Sequence, residues 1–372
     1  MKIGAIIRRS IALIILVILL IVLGVLKNNE EVAENFTRYF SSHWLNIASA
    51  ISAIFPFSLT EVFFVLTFIG IIVLIVFFFI DLKKHHVIKA ICKPLDIALI
   101  VVSIISAYSL SCEMAYNRKE MPLPYYQEDV AREEYADIYN YFADDLNDCL
   151  DHLSFLDNKD VKNPYSLDEL AEEVKKAYAI IDDPYFYRSF GAVKPMASSF
   201  IYREFQITGV TFSPFGEANI DILSTKNELP FVVAHELAHS KGVMRENDAN
   251  QLAFYVCLNS DNYYLRYSAY ACYFYQLESM VSSAYLTEEE RTHLSSVNPI
   301  FYQSRNFMYH YWDEHDMLAK IGDWFNDLYI KSSGVSEGTS SYQGGTEYEY
   351  DPTTHKIIPS RYQQLFFNRY YA

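Results

Sequence analysis

Cysteine is scarce in this chain: five residues in 372, with no C-x-x-C spacing among them. That excludes a zinc ribbon and a disulfide-dense scaffold. Cys92 and Cys112 fall in an apolar N-terminal region, which leaves Cys149, Cys257 and Cys272. Cys257 and Cys272 could bridge in an oxidising exterior, but buried free thiols are the expected state. Glycine and proline are also few, 12 of each, so no collagen-like or low-complexity architecture is present. Basic residues are outnumbered, 30 against 46 acidic, for a formal net charge of -16. A grip on phosphates needs clustered Lys and Arg, so no nucleic-acid partner is expected. What the chain does have is apolar and aromatic content, 51% and 16%, including 31 Tyr. That is too much for a disordered protein, and no internal repeat is visible.

The averages conceal a division. Residues 1–114 hold 9 Lys and Arg against 7 Asp and Glu, leaving 21 of the 30 basic and 39 of the 46 acidic residues for the remainder. The first third also contains the long apolar runs. Three transmembrane helices are expected, at about residues 10–27, 60–80 and 95–112, each long enough for a hydrocarbon core of about 30 Å. The first run has the charged-then-apolar layout of a signal peptide, but it is longer than a signal core and ends in Val25-Leu26-Lys27-Asn28-Asn29, a poor cleavage site. Lys2, Arg8 and Arg9 precede the first run, and Lys83, Lys84, Lys89 and Lys93 lie between the second and third. The positive-inside rule then places the N-terminus in the cytoplasm and the chain from Met114 onward outside it. Residues 36–58 are apolar but carry Arg38, His43 and Asn46, which suits an interfacial or re-entrant segment. No charge lies within a span apart from Asp96 at an end, so an anchor is favoured over a transporter.

Residues 115–372 read as an acidic extracytoplasmic body. Tyr135–Phe155, Leu167–Ile181, Leu229–Ser240, Glu246–Leu258 and Tyr263–Ala284 carry helical patterns. Ile207–Ile222 alternates around Ser213-Pro214-Phe215-Gly216 and predicts a strand pair or a kinked edge strand. Gly334–Gly345 is rich in Ser and Gly and reads as a loop. The fold class that follows is membrane-anchored α+β: three N-terminal transmembrane helices and then a mostly helical domain with a small sheet.

One motif carries chemistry. Residues 235–239 are His-Glu-Leu-Ala-His, an H-E-x-x-H pattern. On a helix, positions i and i+4 share a face, so His235 and His239 can reach one metal ion. Glu236, one position along, is placed to act on water at that metal. Pro230 suits the first helical turn and Gly242 its C-terminal end. Two unrelated histidines on an exposed helix would produce the same pattern, but this helix is strongly apolar, and burying two His and a Glu without a partner is costly. A catalytic zinc site needs a third protein ligand and an open position. A third His six residues on is absent, since that position is Arg245. If the chain turns at Gly242 into a second helix, Glu246 and Asn250 share a face. Glu246 is then the expected third ligand, with Asp248 the fallback, and Asn250 holds a ligand His by its outer N–H.

H-E-L-A-H followed by E-x-x-A-N resembles the gluzincin metallopeptidases. Gly191–Pro195, Gly209–Phe212, Pro214–Asn219, Leu229–Phe231 and Arg245–Asn250, with Pro56-Phe57-Ser58 and Asn326-Asp327-x-Tyr329, resemble a bacterial membrane family catalogued as domain of unknown function 3810. The resemblance covers nearly the whole chain short of Gly345–Ala372. It departs at position 248, where Asp stands in place of the expected Glu. It implies a zincin-like domain and a membrane-bound zinc peptidase: Zn2+ on His235, His239 and Glu246, with Glu236 as general base. The implied partners are the lipid bilayer and a peptide or protein substrate, cell-envelope peptides included. An edge strand before the motif helix would align an extended peptide, with Glu217 and Asn219 as candidates for that cleft. Tyr342 and Tyr329 are candidates to stabilise an oxyanion. The competing expectation is a non-hydrolytic membrane receptor or scaffold with a structural or vestigial zinc site.

Overall fold

A computed structural model describes residues 3–282, 285–351 and 356–372. Among the described residues, three helices are long and apolar enough to cross a membrane: α1 (Ile3–Leu26), α4 (Leu59–Lys83) and α5 (Val87–Ser111). Each is longer than the apolar run that announces it, because polar flanks continue the helix. α5 packs against both α1 and α4. Asp96 therefore lies well inside α5 rather than at its end, where both its carboxylate oxygens accept from Arg9 of α1, at 2.6 and 3.2 Å. This pairing removes the cost of an isolated charge among apolar helices.

The segment between α1 and α4 forms α2 (Glu30–Phe36) and α3 (Ser42–Ser52), joined by a π-helical turn over Thr37–Ser41. Asn29 caps α2 through the Val32 N–H, and Ser58 caps α4 through the Glu61 N–H. One side of α3 exposes Trp44, Ile47 and Ile51, and the other buries Leu45, Ser49 and Ser52 against the body that follows.

That body is mostly helical with a small sheet. In chain order it contains α6 (Tyr135–Asp151), α7 (Leu167–Ala177), β1 (Ala192–Pro195), α8 (Ser199–Tyr202), β2 (Gly209–Phe212) and β3 (Glu217–Ile220). Then come α9 (Leu229–Ser240), α10 (Glu246–Leu258), α11 (Tyr263–Tyr273), α12 (Tyr275–Met280), α13 (Glu288–Arg291), α14 (Pro299–Glu314) and α15 (Ala319–Ser332). A two-stranded ribbon, β4 (Glu349–Asp351) with β5 (Lys356–Ile358), and α16 (Arg361–Tyr371) complete it. The predicted strand pair forms as β2 antiparallel to β3. The sheet has a third strand that alternation did not announce, β1, which runs parallel to β3 and gives the order β1-β3-β2. The helix expected over Tyr263–Ala284 breaks at Phe274, and its expected end at Ala284 lies outside the described residues.

The core sits where α6, α9, α10, α11, α14 and α16 meet, around Phe142, Phe254, Phe274, Phe301 and Phe366. Buried tyrosines join it because their hydroxyls find acceptors: Tyr264 on the Lys226 carbonyl at 2.6 Å and Tyr270 on Asp145 at 2.5 Å. The C-terminal helix α16, beyond the reach of the family resemblance, supplies Tyr362, Leu365 and Phe366 to this core. All five cysteines are free, four of them buried, so Cys257 and Cys272 are not bridged.

Candidate metal centre

The site is built at the junction of α9 and α10. α9 ends in a Schellman turn: the Val243 N–H reaches back to the Ala238 carbonyl and the Gly242 N–H to that of His239, with Gly242 at φ +84°. A side chain at 242 would meet the Tyr187 ring as well as the left-handed backbone. The turn leaves the Val243 carbonyl 2.8 Å from His239 Nδ1. The chain then extends through Arg245 and begins α10 at Glu246. Ala249 and Ala253 are fully buried and let α10 lie close to α9.

This junction brings His235, His239 and Glu246 together, with one ligand atom of each within 4.8 Å of the others. Asn250, one turn beyond Glu246, places its Oδ1 2.8 Å from His235 Nδ1. Its amide nitrogen donates to the Tyr342 carbonyl at 3.2 Å, which fixes the orientation of the amide. Both Nδ1 atoms therefore face acceptors and must carry protons. Both Nε2 atoms then turn their lone pairs toward Glu246, whose Oε2 lies 3.2 Å from one and 3.6 Å from the other. This oxygen is buried and has no hydrogen-bond donor. Three acceptors converging in a buried place call for a cation. Four ligands at 2.0–2.2 Å in a tetrahedron stand about 3.3–3.6 Å apart, so the two spacings from Glu246 to the imidazoles suit a small divalent ion.

Without a cation, a proton takes its place. Burial opposes the charge on Glu246, but the adjoining His239 and His235 overcome this and hold its carboxyl down to about 2. Burial likewise opposes a charged His239, yet the adjoining Glu246 raises it to about 9. Asp248 does not join the group. It accepts from Arg245 Nε at 2.7 Å instead.

Glu236 stands beside the two histidines, buried, with its carboxyl raised by that burial against the opposing pull of His235 and His239. Its neighbour is Thr211 of β2, whose hydroxyl lies 2.7 Å from Oε2 and 3.0 Å from the Glu236 main-chain oxygen. Gly209, two residues earlier on the same face of β2, leaves room for the carboxylate: a Cβ there would come within 2.5 Å of Oε1 and 2.6 Å of Cγ. Gly209 and Thr211 were not recognised as site residues from the sequence. Their signal is the period of two on a strand next to the motif helix.

The group opens into a cavity of about 1330 Å³, walled by β2, α9, α14 and α15. Tyr342 and Tyr329 both line it. The Tyr342 hydroxyl accepts from Asn326 at 3.2 Å, and burial with the nearby Glu246 and Glu236 charges keeps the phenol protonated. Tyr116, just beyond α5, also lines the cavity, 3.1 Å from the Tyr329 hydroxyl. Glu228 is a further wall residue that sequence reasoning missed. Burial, against hydrogen bonds from Thr225 and Trp312, pushes its carboxyl up to about 7.

Glu217 and Asn219 do not line the cavity, which corrects the expectation for both. Glu217 is fully buried under the start of α4. It accepts from Ser52 Oγ at 2.5 Å, the Leu59 N–H at 2.9 Å, the Thr60 N–H at 2.9 Å and Thr60 Oγ1 at 2.7 Å. Asn219 donates to the Val210 carbonyl at 3.1 Å and braces β2 against β3.

The chain matches the model of a family described as protein of unknown function (DUF3810) over residues 36–348. It belongs to the DUF3810 family. The matched span takes in α3, α4, α5, the three-stranded sheet and the His-His-Glu group, while α1 and α16 lie outside it. No curated protein and no solved structure gives a match. For this DUF3810 member the chemistry must therefore be argued from the site itself.

Proposed function

We propose that this protein is a membrane-anchored zinc metallopeptidase of gluzincin type, with a zincin-like domain held at the outer face of the membrane. One observation carries the reading: a buried, donor-less Glu246 oxygen between two imidazole Nε2 atoms, next to a buried Glu236 that takes no part in the ligand set. His235, His239 and Glu246 would hold the ion. When bound, zinc supplies a Lewis acid and brings the pKa of a coordinated water toward 7. Glu236 takes the proton of the attacking water and passes it to the leaving amine. Its raised pKa suits both roles, and Thr211 keeps the carboxylate turned to the site. The protonated phenols of Tyr342 and Tyr329 are the available donors to a developing oxyanion. β2 is an edge strand along the cavity wall. Its free edge can pair with an extended peptide backbone, which favours a peptide substrate over a compact small molecule. A structural zinc site is usually closed by four ligands, whereas this group offers three and adjoins a large cavity, so the scaffold alternative has less support.

The test is a peptide library incubated with the purified full-length protein in lipid nanodiscs, with zinc measured in parallel. Glu236→Gln should keep stoichiometric zinc and lose hydrolysis by about 10²-fold or more. Hydrolysis that survives Glu236→Gln, or a wild-type protein that takes up no metal, overturns the reading.

A further inference from the structure

The ends of the three long helices fix where the bilayer surface lies. Leu26, Leu59 and Ser111 end or begin those helices on the side that carries the soluble body. Two lips of the metal cavity are tied directly to these ends. The first is α15. Lys27, one residue past α1, donates to the Ser332 carbonyl at 3.2 Å and pairs with Glu113 at 2.5 Å. Tyr329 of α15 meets the hydroxyl of Tyr108, in the last turn of α5. The second lip is α8. Glu61, in the first turn of α4, accepts from the Ala197 and Ser198 N–H groups at 2.8 and 2.9 Å, just before α8 begins. The two lips also touch, through the Leu318 N–H on the Glu204 carbonyl at 2.9 Å.

Both lips expose large apolar side chains. α15 divides into three sectors. Ala319, Gly322 and Ile330 face inward, and Lys320, Asp323, Asp327 and Lys331 form a charge-balanced polar sector. Between them runs an exposed stripe of Ile321, Trp324, Phe325 and Leu328, with Trp324 58% and Phe325 60% exposed. α8 adds Phe200, 59% exposed, and Ile201. Phe325 and Ile201 are also cavity-lining residues, so they stand at its rim. An apolar, Trp-containing stripe at the level of the helix ends has the composition of the membrane–water interface. The long helices to which the two lips are bonded also expose large apolar side chains near those ends, Val25 and Leu26 of α1 and Val62 of α4 among them.

We infer that α15 and α8 seat in the headgroup layer of the bilayer, so that the metal cavity opens onto the membrane surface and receives chains anchored in or lying along it. The lipid seat stands independently of the peptidase reading. The substrate class it implies, a membrane-tethered polypeptide, rests on that reading.

The test uses the full-length protein with Trp44→Phe and Trp312→Phe, so that Trp324 is the remaining indole. It is reconstituted in phosphatidylcholine vesicles containing some phosphatidylglycerol. Lipids brominated close to the headgroup should lower Trp324 emission about twofold, as expected at interfacial depth. Lipids brominated at the chain ends should have little effect, and aqueous iodide should not quench. Iodide quenching without bromolipid quenching overturns the inference, since it places the stripe in water. Protection from both quenchers also overturns it, since it places a protein partner on the stripe. If the double replacement fails to fold, the quenching difference between wild type and Trp324→Phe measures the same contact. None of these readings depends on hydrolysis. An inactive site would leave the lipid seat standing, and an unquenched Trp324 would leave the peptidase reading standing.

Discussion

Glu246 sets the behaviour of the proposed metal centre at the scale of single residues. With both Nδ1 protons committed to Asn250 and Val243, the two imidazoles can offer the centre only lone pairs. In the metal-free protein one proton compensates, held on His239 up to about pH 9 by the Glu246 carboxylate. A metal ion must displace that proton. Zinc affinity should therefore rise about tenfold per pH unit as the pH approaches about 9 and level off above, with about one proton released per ion at pH 7. Calorimetric titration in buffers of different protonation enthalpy measures the release, and a binding enthalpy independent of buffer would contradict it. Glu246→Gln removes the charge and should abolish stoichiometric zinc. Asp248→Asn should retain it, because Asp248 is engaged with Arg245.

Glu217 and α4 show what elements do for one another. A carboxylate in the central strand caps the start of a membrane helix, so the sheet and the bilayer anchor share hydrogen bonds. Glu217→Ala would orphan two hydroxyls and two main-chain N–H groups in a buried place. At about 1–3 kcal/mol for each donor left unsatisfied, a loss of at least about 3 kcal/mol is expected. The buried free thiols supply the assay, since a thiol-reactive dye reports unfolding as Cys112 and Cys257 become accessible. An unchanged melting temperature would mean that water replaces the carboxylate. The same residue marks the limit of what sequence shows. α9 and α10 were legible to their end residues because Pro230, Gly242 and apolar spacing act locally. The ligand face followed from that geometry, since the i and i+4 positions and the turn at Gly242 bring Glu246 and Asn250 round to the histidines. β1 was missed because a four-residue strand whose successive residues Ala192, Val193 and Lys194 are all buried has no alternation to display. Glu217 was misplaced for a different reason. An acidic residue near a motif suggests a cleft, and nothing local reveals that its donors lie over 150 positions earlier in the chain.

Across the whole molecule, the packing does not pause where the apolar third of the sequence ends. Leu45, Cys112, Ala115, Tyr116, Tyr187 and Met244 form one buried cluster that straddles residue 114. Around it, Arg118 is buried with two guanidinium nitrogens on Glu34 of α2, each at 2.9 Å, and stacks on the Tyr185 ring at 3.7 Å. The Tyr187 hydroxyl reaches the Thr37 carbonyl at 2.9 Å, and Lys194 reaches that of Phe55. Gly216, at φ +62°, admits the α3 backbone so closely that a Cβ would come within 2.7 Å of the Ser49 nitrogen. Residues 1–114 therefore do more than tether the body, because α2 and α3 complete its floor. Residues 115–372 produced alone would open the Tyr187 and Met244 face to water, remove the Glu34 carboxylate from Arg118 and leave the Glu217 carboxylate without its donors. Charged groups regain water on exposure, but an apolar face does not, and such faces drive association. The fragment should therefore sediment as oligomers and melt below the full chain. A monomeric fragment with the melting temperature of the intact protein would show that the floor is dispensable. The anchor would then be a passive tether, and the placement of the metal cavity at the membrane would lose its structural basis.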